Sequence, residues 1–83
     1  MIVDISPRAS YDIERIGHYS AFDIERIVDS FTDGLIYLRE QPNEPLGRYL
    51  YSEEDNLSVF VEVDDNIVTV LAVKTGDHRD EEL

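Results

Sequence analysis

The sequence predicts an α+β fold, β-α-α-β-β-β, with a helical hairpin packed on a small antiparallel sheet. Two observations predict it. Apolar residues recur at helical spacing between residues 11 and 38, and from residue 48 onward they follow a strand pattern broken by polar turns. Helices that precede a run of consecutive strands indicate α+β rather than alternating α/β architecture.

The elements follow in order. Ile2, Val3 and Ile5 make a brief first strand. Ser6-Pro7 reads as an N-cap with proline at the first helical position, where its absent N–H costs nothing. Tyr11, Ile13 and Ile16 supply the apolar positions of a first helix, and Gly17 ends it.

The phrase Asp-Ile-Glu-Arg-Ile occurs twice, at 12–16 and at 23–27. The offset is close to three helical turns, so one continuous helix would superpose the copies. Gly17 and Ser20 argue for two helices instead, with Ser20-Ala-Phe-Asp23 as a fresh N-cap. Two copies are too few for a solenoid. In the second helix Ile24, Ile27, Val28, Phe31, Leu35 and Leu38 form one apolar stripe, and Pro42 and Pro45 end it.

Arg48-Tyr-Leu-Tyr51 is a short strand, and Ser52-Glu-Glu-Asp-Asn56 is a polar turn. Leu57, Val59, Val61 and Val63 then share one face of a strand, with Ser58, Phe60 and Glu62 on the other. Asp64-Asp65-Asn66 suits a tight hairpin. The final strand, Ile67 to Val73, is apolar on both faces, as a central strand should be.

At 83 residues the chain reads as one domain. With no cysteine, disulfides, thiolate nucleophiles and Cys-based zinc sites are excluded. No apolar run approaches the roughly 18 residues of a membrane span, and Met1-Ile-Val-Asp4 has no basic leader character. A cytoplasmic protein with no membrane association is expected. The formal net charge is -12, from 19 acidic and 7 basic residues. Such a surface repels nucleic acid at long range and attracts basic partners, or serves solubility alone.

Several phrases, in their order and spacing, resemble the RelE/ParE toxin superfamily of type II toxin-antitoxin systems. They are Ser6-Pro-Arg-Ala9, Glu25-Arg-Ile27, Leu38-Arg-Glu-Gln-Pro42, Pro45-Leu-Gly47, Val61-Glu-Val-Asp-Asp65, Val70-Leu-Ala-Val73 and His78-Arg79. The resemblance spans nearly the whole chain and marks it as a divergent acidic member. It implies a toxin-like protein that either cuts mRNA on the ribosome, as an endonuclease, or poisons DNA gyrase, with an antitoxin-like protein as its partner. Two departures stand out. Leu57-Ser58-Val59 lies where RelE-like members often carry an arginine, and the tail ends Asp80-Glu-Glu-Leu83 without the tyrosine that commonly follows the His-Arg pair.

Metal-free RNA cleavage needs a base for the 2′-hydroxyl, cations on the phosphate and an acid for the leaving oxygen. The candidates are His78 as base or acid, Arg79, Lys74 and Arg48 as phosphate clamps, and Tyr49 or Tyr51 as proton donors. No cofactor is expected. Neither Glu53-Glu54-Asp55 nor Asp77-His78-Asp80-Glu81 matches the spacing of a known metal motif. Each candidate also has an ordinary reading: His78 as a solvated tail histidine, Lys74 and Arg79 as surface partners of carboxylates, and Tyr49 and Tyr51 as cover for a sheet edge. The same applies to Arg8, Arg15, Arg26 and Arg39, which should pair along helix exteriors. The alternative function is a non-catalytic interaction domain that binds a basic partner segment, with a sheet edge open to strand addition.

Overall fold

The computed structural model describes residues 2–30 and 47–78, with Gly47 and Arg48 described through their backbone. The elements are β1 (Ile2–Ile5), α1 (Pro7–Ile16), α2 (Ala21–Ser30), β2 (Gly47–Ser52), β3 (Leu57–Asp64) and β4 (Ile67–Thr75). The expected order is observed. The part of the second-helix stripe assigned to Phe31, Leu35 and Leu38 lies outside the described residues.

Both helix starts follow from their capping chemistry. Ser6 is extended, and its Oγ accepts from the Ala9 amide at 3.1 Å with Pro7 in the first turn. Gly17 closes α1 at φ 83, a left-handed conformation that a side chain would strain. At the second start the Ser20 amide donates to Asp23 Oδ2 at 2.8 Å, and the Asp23 amide reaches back to Ser20 Oγ at 3.4 Å. This reciprocal pair holds the Asp23 carboxyl below its usual range, through the Ser20 backbone bond first and then the Ser20 hydroxyl. The repeated phrase therefore occupies two helices, and its isoleucines Ile13, Ile24 and Ile27 all enter one core.

The sheet order is β1-β4-β3-β2. β2, β3 and β4 are antiparallel neighbours, whereas β1 runs parallel to β4. The sheet is thus mixed rather than wholly antiparallel. The parallel pairing sets Ile2 beside Ile67, Val3 beside Val68 and Ile5 beside Val70, so apolar meets apolar along the seam. It makes β4 the central strand flanked by β1 and β3.

One irregularity decides which residues of β4 face the helices. Alternation on β3 is unbroken, with Leu57, Val59, Val61 and Val63 in the helix-facing core. On β4 the core residues are Val68, Val70 and then Val73. The register steps from Phe60 opposite Ala72 to Val61 opposite Val70, which leaves Leu71 unmatched on β3. This β-bulge absorbs one extra residue and restores the phase. α1 is fastened there: the Ser6 amide donates to the Val70 carbonyl at 3.0 Å, Ser6 Oγ to the Leu71 carbonyl at 3.2 Å, and the Val73 amide to Asp12 Oδ2 at 3.0 Å.

The core joins Ala9 and Ile13 of α1, Ile24, Ile27 and Val28 of α2, and the helix-facing valines and leucines of the sheet. Each fully buried aliphatic side chain contributes about 1.5–3 kcal/mol relative to exposure. Among the described residues no helix is long and apolar enough to cross a membrane.

Candidate functional site

The second face of the sheet carries the polar chemistry. Tyr49 lies opposite Phe60, Phe60 opposite Ala72, and Ser58 opposite Lys74. Phe60 and Ala72 are buried yet belong to no part of the helix-facing core. The Tyr49 and Phe60 rings meet edge to face at 5.4 Å, and the Lys74 ammonium lies 5.5 Å from the Phe60 ring centre.

At the end of β4 the chain turns back over this face. Gly76 takes φ 84, and its amide donates to the Asn56 carbonyl at 2.8 Å. Asp77 and His78 are thereby directed onto Tyr49 and Ser58. The Tyr49 hydroxyl donates to Asp77 Oδ1 at 2.6 Å and accepts from the His78 amide at 2.9 Å. The fully buried Ser58 hydroxyl donates to the Gly76 carbonyl, lies 3.0 Å from Tyr49 Oη, and accepts from the same His78 amide at 3.2 Å. The His78 ring closes the turn, with Nε2 2.6 Å from the Thr75 carbonyl. Burial raises the Tyr49 phenol above its ordinary value, and the bond to the Asp77 carboxylate adds to the rise.

The sequence candidates fall as follows. Lys74 and His78 share the β4 end of this face, beside Tyr49. Arg48 is placed by its backbone alone, in register with Val61. Arg79 lies outside the described residues. Tyr49 and Tyr51 do more than cover an edge, because the Tyr51 hydroxyl also donates, to Asn56 Oδ1 at 2.7 Å. Ser58 is not among the sequence candidates, and Asp77 enters them only within a metal-motif run, although a lone hydroxyl between apolar residues of β3 is a usable signal.

The helix arginines divide. Arg8 faces Asp12 at 4.0 Å, one turn along α1 as expected. Arg15 lies over the Tyr11 ring at 5.8 Å. Arg26 reaches a distant carboxylate, Asp55, at 3.5 Å, and Arg39 lies outside the described residues. Asp55 belongs to the β2–β3 turn, whose backbone also accepts the Tyr19 hydroxyl at 3.2 Å. A pocket of about 330 Å³ opens between α1 and β4, lined by Asp12, Arg15, Ile16, Val73, Lys74 and Thr75. Among the described residues no three His, Asp or Glu side chains are grouped as metal ligands would be.

No protein-family model matches the chain, and no curated protein matches it. Solved structures do. The isolated E. coli RelE toxin is similar at 14% identity with a TM-score of 0.55, over 95% of this chain and 87% of that one. A chain of the intact E. coli RelBE toxin-antitoxin complex is similar at 14% identity with a TM-score of 0.54, over 93% of this chain and 98% of that one. The chain therefore has a RelE-like fold.

Proposed function

We propose that this chain is a toxin-like component of a type II toxin-antitoxin pair, partnered by an antitoxin-like protein. The observation that carries the reading is the RelE-like fold, which extends over 95% of the chain. The position of Lys74 and His78 on one end of the sheet, beside Tyr49, supports a working surface there. As an mRNA endonuclease the protein would use His78 for proton transfer, with Lys74, Arg48 and Arg79 on the phosphate and Tyr49 as donor. As a gyrase poison it would use the same surface for binding alone.

A second reading is a non-catalytic interaction domain that takes up a basic segment. Asp77 favours it. Its carboxylate accepts from the Tyr49 hydroxyl at 2.6 Å, and its negative charge beside Tyr49 disfavours a phosphate there. The overall charge of -12 acts in the same direction.

Tightly induced expression in a bacterial host tests both, with an Arg79→Ala control and soluble protein measured in each culture. Arrest by the parent and relief in the variant supports an active toxin that uses the tail arginine. Arrest by both keeps the toxin reading and removes Arg79 from its mechanism. Normal growth with abundant soluble protein favours the interaction domain.

A further inference from the structure

We infer that the exposed Ile2–Ile67 pair on the open face of the sheet, ringed by Asp4, Glu62 and Asp64, is a docking surface for a basic segment of a partner protein. The inference deepens the interaction-domain reading above: it names the surface, and it rests on that reading for its biological meaning. Strand register places the residues. Val3 and Ile5 of β1, Val61 and Val63 of β3, and Val68 and Val70 of β4 turn toward the helices. Their alternate neighbours therefore share the opposite face. There Ile2 lies beside Ile67 and Ile67 beside Asp64, while Asp4 lies beside Thr69 and Thr69 beside Glu62. Two cross-strand rows result, three strands wide, or roughly 10 Å at the usual strand spacing.

The two ends of this face differ. Toward the end of β4 the turn through Gly76, Asp77 and His78 folds back over Tyr49 and Ser58, and Phe60 is buried. At the other end Ile2 is 56% and Ile67 40% exposed. Single exposed apolar side chains are ordinary, but two in register make a contiguous apolar spot inside a charged rim. Asp4 and Asp64 are exposed and Glu62 is half-buried. Neither Arg8–Asp12 nor Arg26–Asp55, the salt bridges of the helix arginines, engages them. The charge selects the occupant. A second copy would meet this surface across a two-fold axis and set its carboxylates against their own kind. Nucleic acid and anionic lipid are repelled likewise. A lysine- or arginine-bearing segment with an apolar centre complements both the rim and the isoleucines.

The test is an amide-resolved NMR titration of the full chain with the synthetic peptide Lys-Lys-Leu-Leu-Lys-Lys, capped at both ends. Shift changes should concentrate at Ile2, Asp4, Glu62, Ile67 and Thr69, with half-saturation at about 1 mM peptide or below. Replacing the two leucines of the peptide by serine should weaken binding roughly fivefold or more. Asp4→Asn, Glu62→Gln and Asp64→Asn together should weaken it roughly tenfold or more, whereas Glu53→Gln with Glu54→Gln, at the exposed β2–β3 turn, should stay within about twofold. Should the triple variant not fold, Ile2→Ser removes exposed apolar surface alone and must weaken binding roughly threefold or more. No binding up to about 5 mM peptide overturns the inference. Equal loss in the two sets of charge variants overturns it too, because the attraction would then come from total charge and not from this patch. Shifts centred on another surface, or equal binding of the serine peptide, do the same. Concentration-dependent shifts at these residues without peptide would assign the face to a second copy and overturn the basic occupant. Host arrest by the parent counts against the interaction-domain reading, while the titration still decides the surface.

Discussion

The Val73 amide donates to the Asp12 carboxylate at 3.0 Å, joining the bulged strand β4 to helix α1 across 61 positions of sequence. β1 pairs with β4 only as far as Val70, so a side chain takes over the outer edge of β4 where the neighbouring strand ends. A free strand edge invites unwanted pairing, and a carboxylate placed there blunts it.

Asp12→Ala should therefore cost about 1–3 kcal/mol, the penalty of an unsatisfied backbone donor. Asp12→Asn keeps an acceptor and loses only the ion pair with the exposed Arg8, worth at most about 1 kcal/mol. Urea denaturation of the two variants checks this. Equal losses would show that the charge, not the Val73 bond, is what matters.

Two residues in the first turn of α2 give a contrast in burial. Ile24 is fully buried, whereas Phe22 is 75% exposed. Ile24→Ala should destabilise by about 2–5 kcal/mol. Phe22→Ala should stay within about 0.5 kcal/mol. Thermal and urea unfolding would separate them clearly.

Stability should also report the Tyr49 proton. The folded phenol lies above its ordinary value of 10.0, chiefly through burial and then through the bond to Asp77. A raised folded value means the contribution is fully present below the unfolded value, near pH 10, and is lost as pH climbs through the folded one. Between pH 7 and 9 this group should leave stability unchanged. Above pH 10 the parent should lose stability faster than Tyr49→Phe in parallel denaturation series.

Gly76 offers a backbone test. An added Cβ would meet only His78 Nε2, at an ordinary 3.8 Å, so space is no obstacle. The conformation is the obstacle, at φ 84. Gly76→Ala should cost about 1–2 kcal/mol through left-handed strain. Circular dichroism melting would show it, and a neutral result would mean the turn relaxes.

Local chemistry made much of this protein legible in its sequence. Ser6-Pro7, Gly17 and the Ser20–Asp23 pair mark helix ends because caps act within a few residues of chain. The valines of β3 announce a strand because alternation has a period of two. The α+β class follows from the order of these elements. Tertiary structure alone decided the rest. That β1 lies parallel beside β4 depends on which edge best covers apolar side chains, a competition between segments far apart in sequence. The bulge at Leu71 arises from matching two strands, and neither strand shows it by itself. The candidate site follows the same division: His78 and Lys74 could be picked out by residue type, but the Tyr49–Asp77 bond required β2 and the end of β4 to meet. Short-range hydrogen bonding is written in the order of residues, whereas long-range pairing is settled only when the whole core is packed.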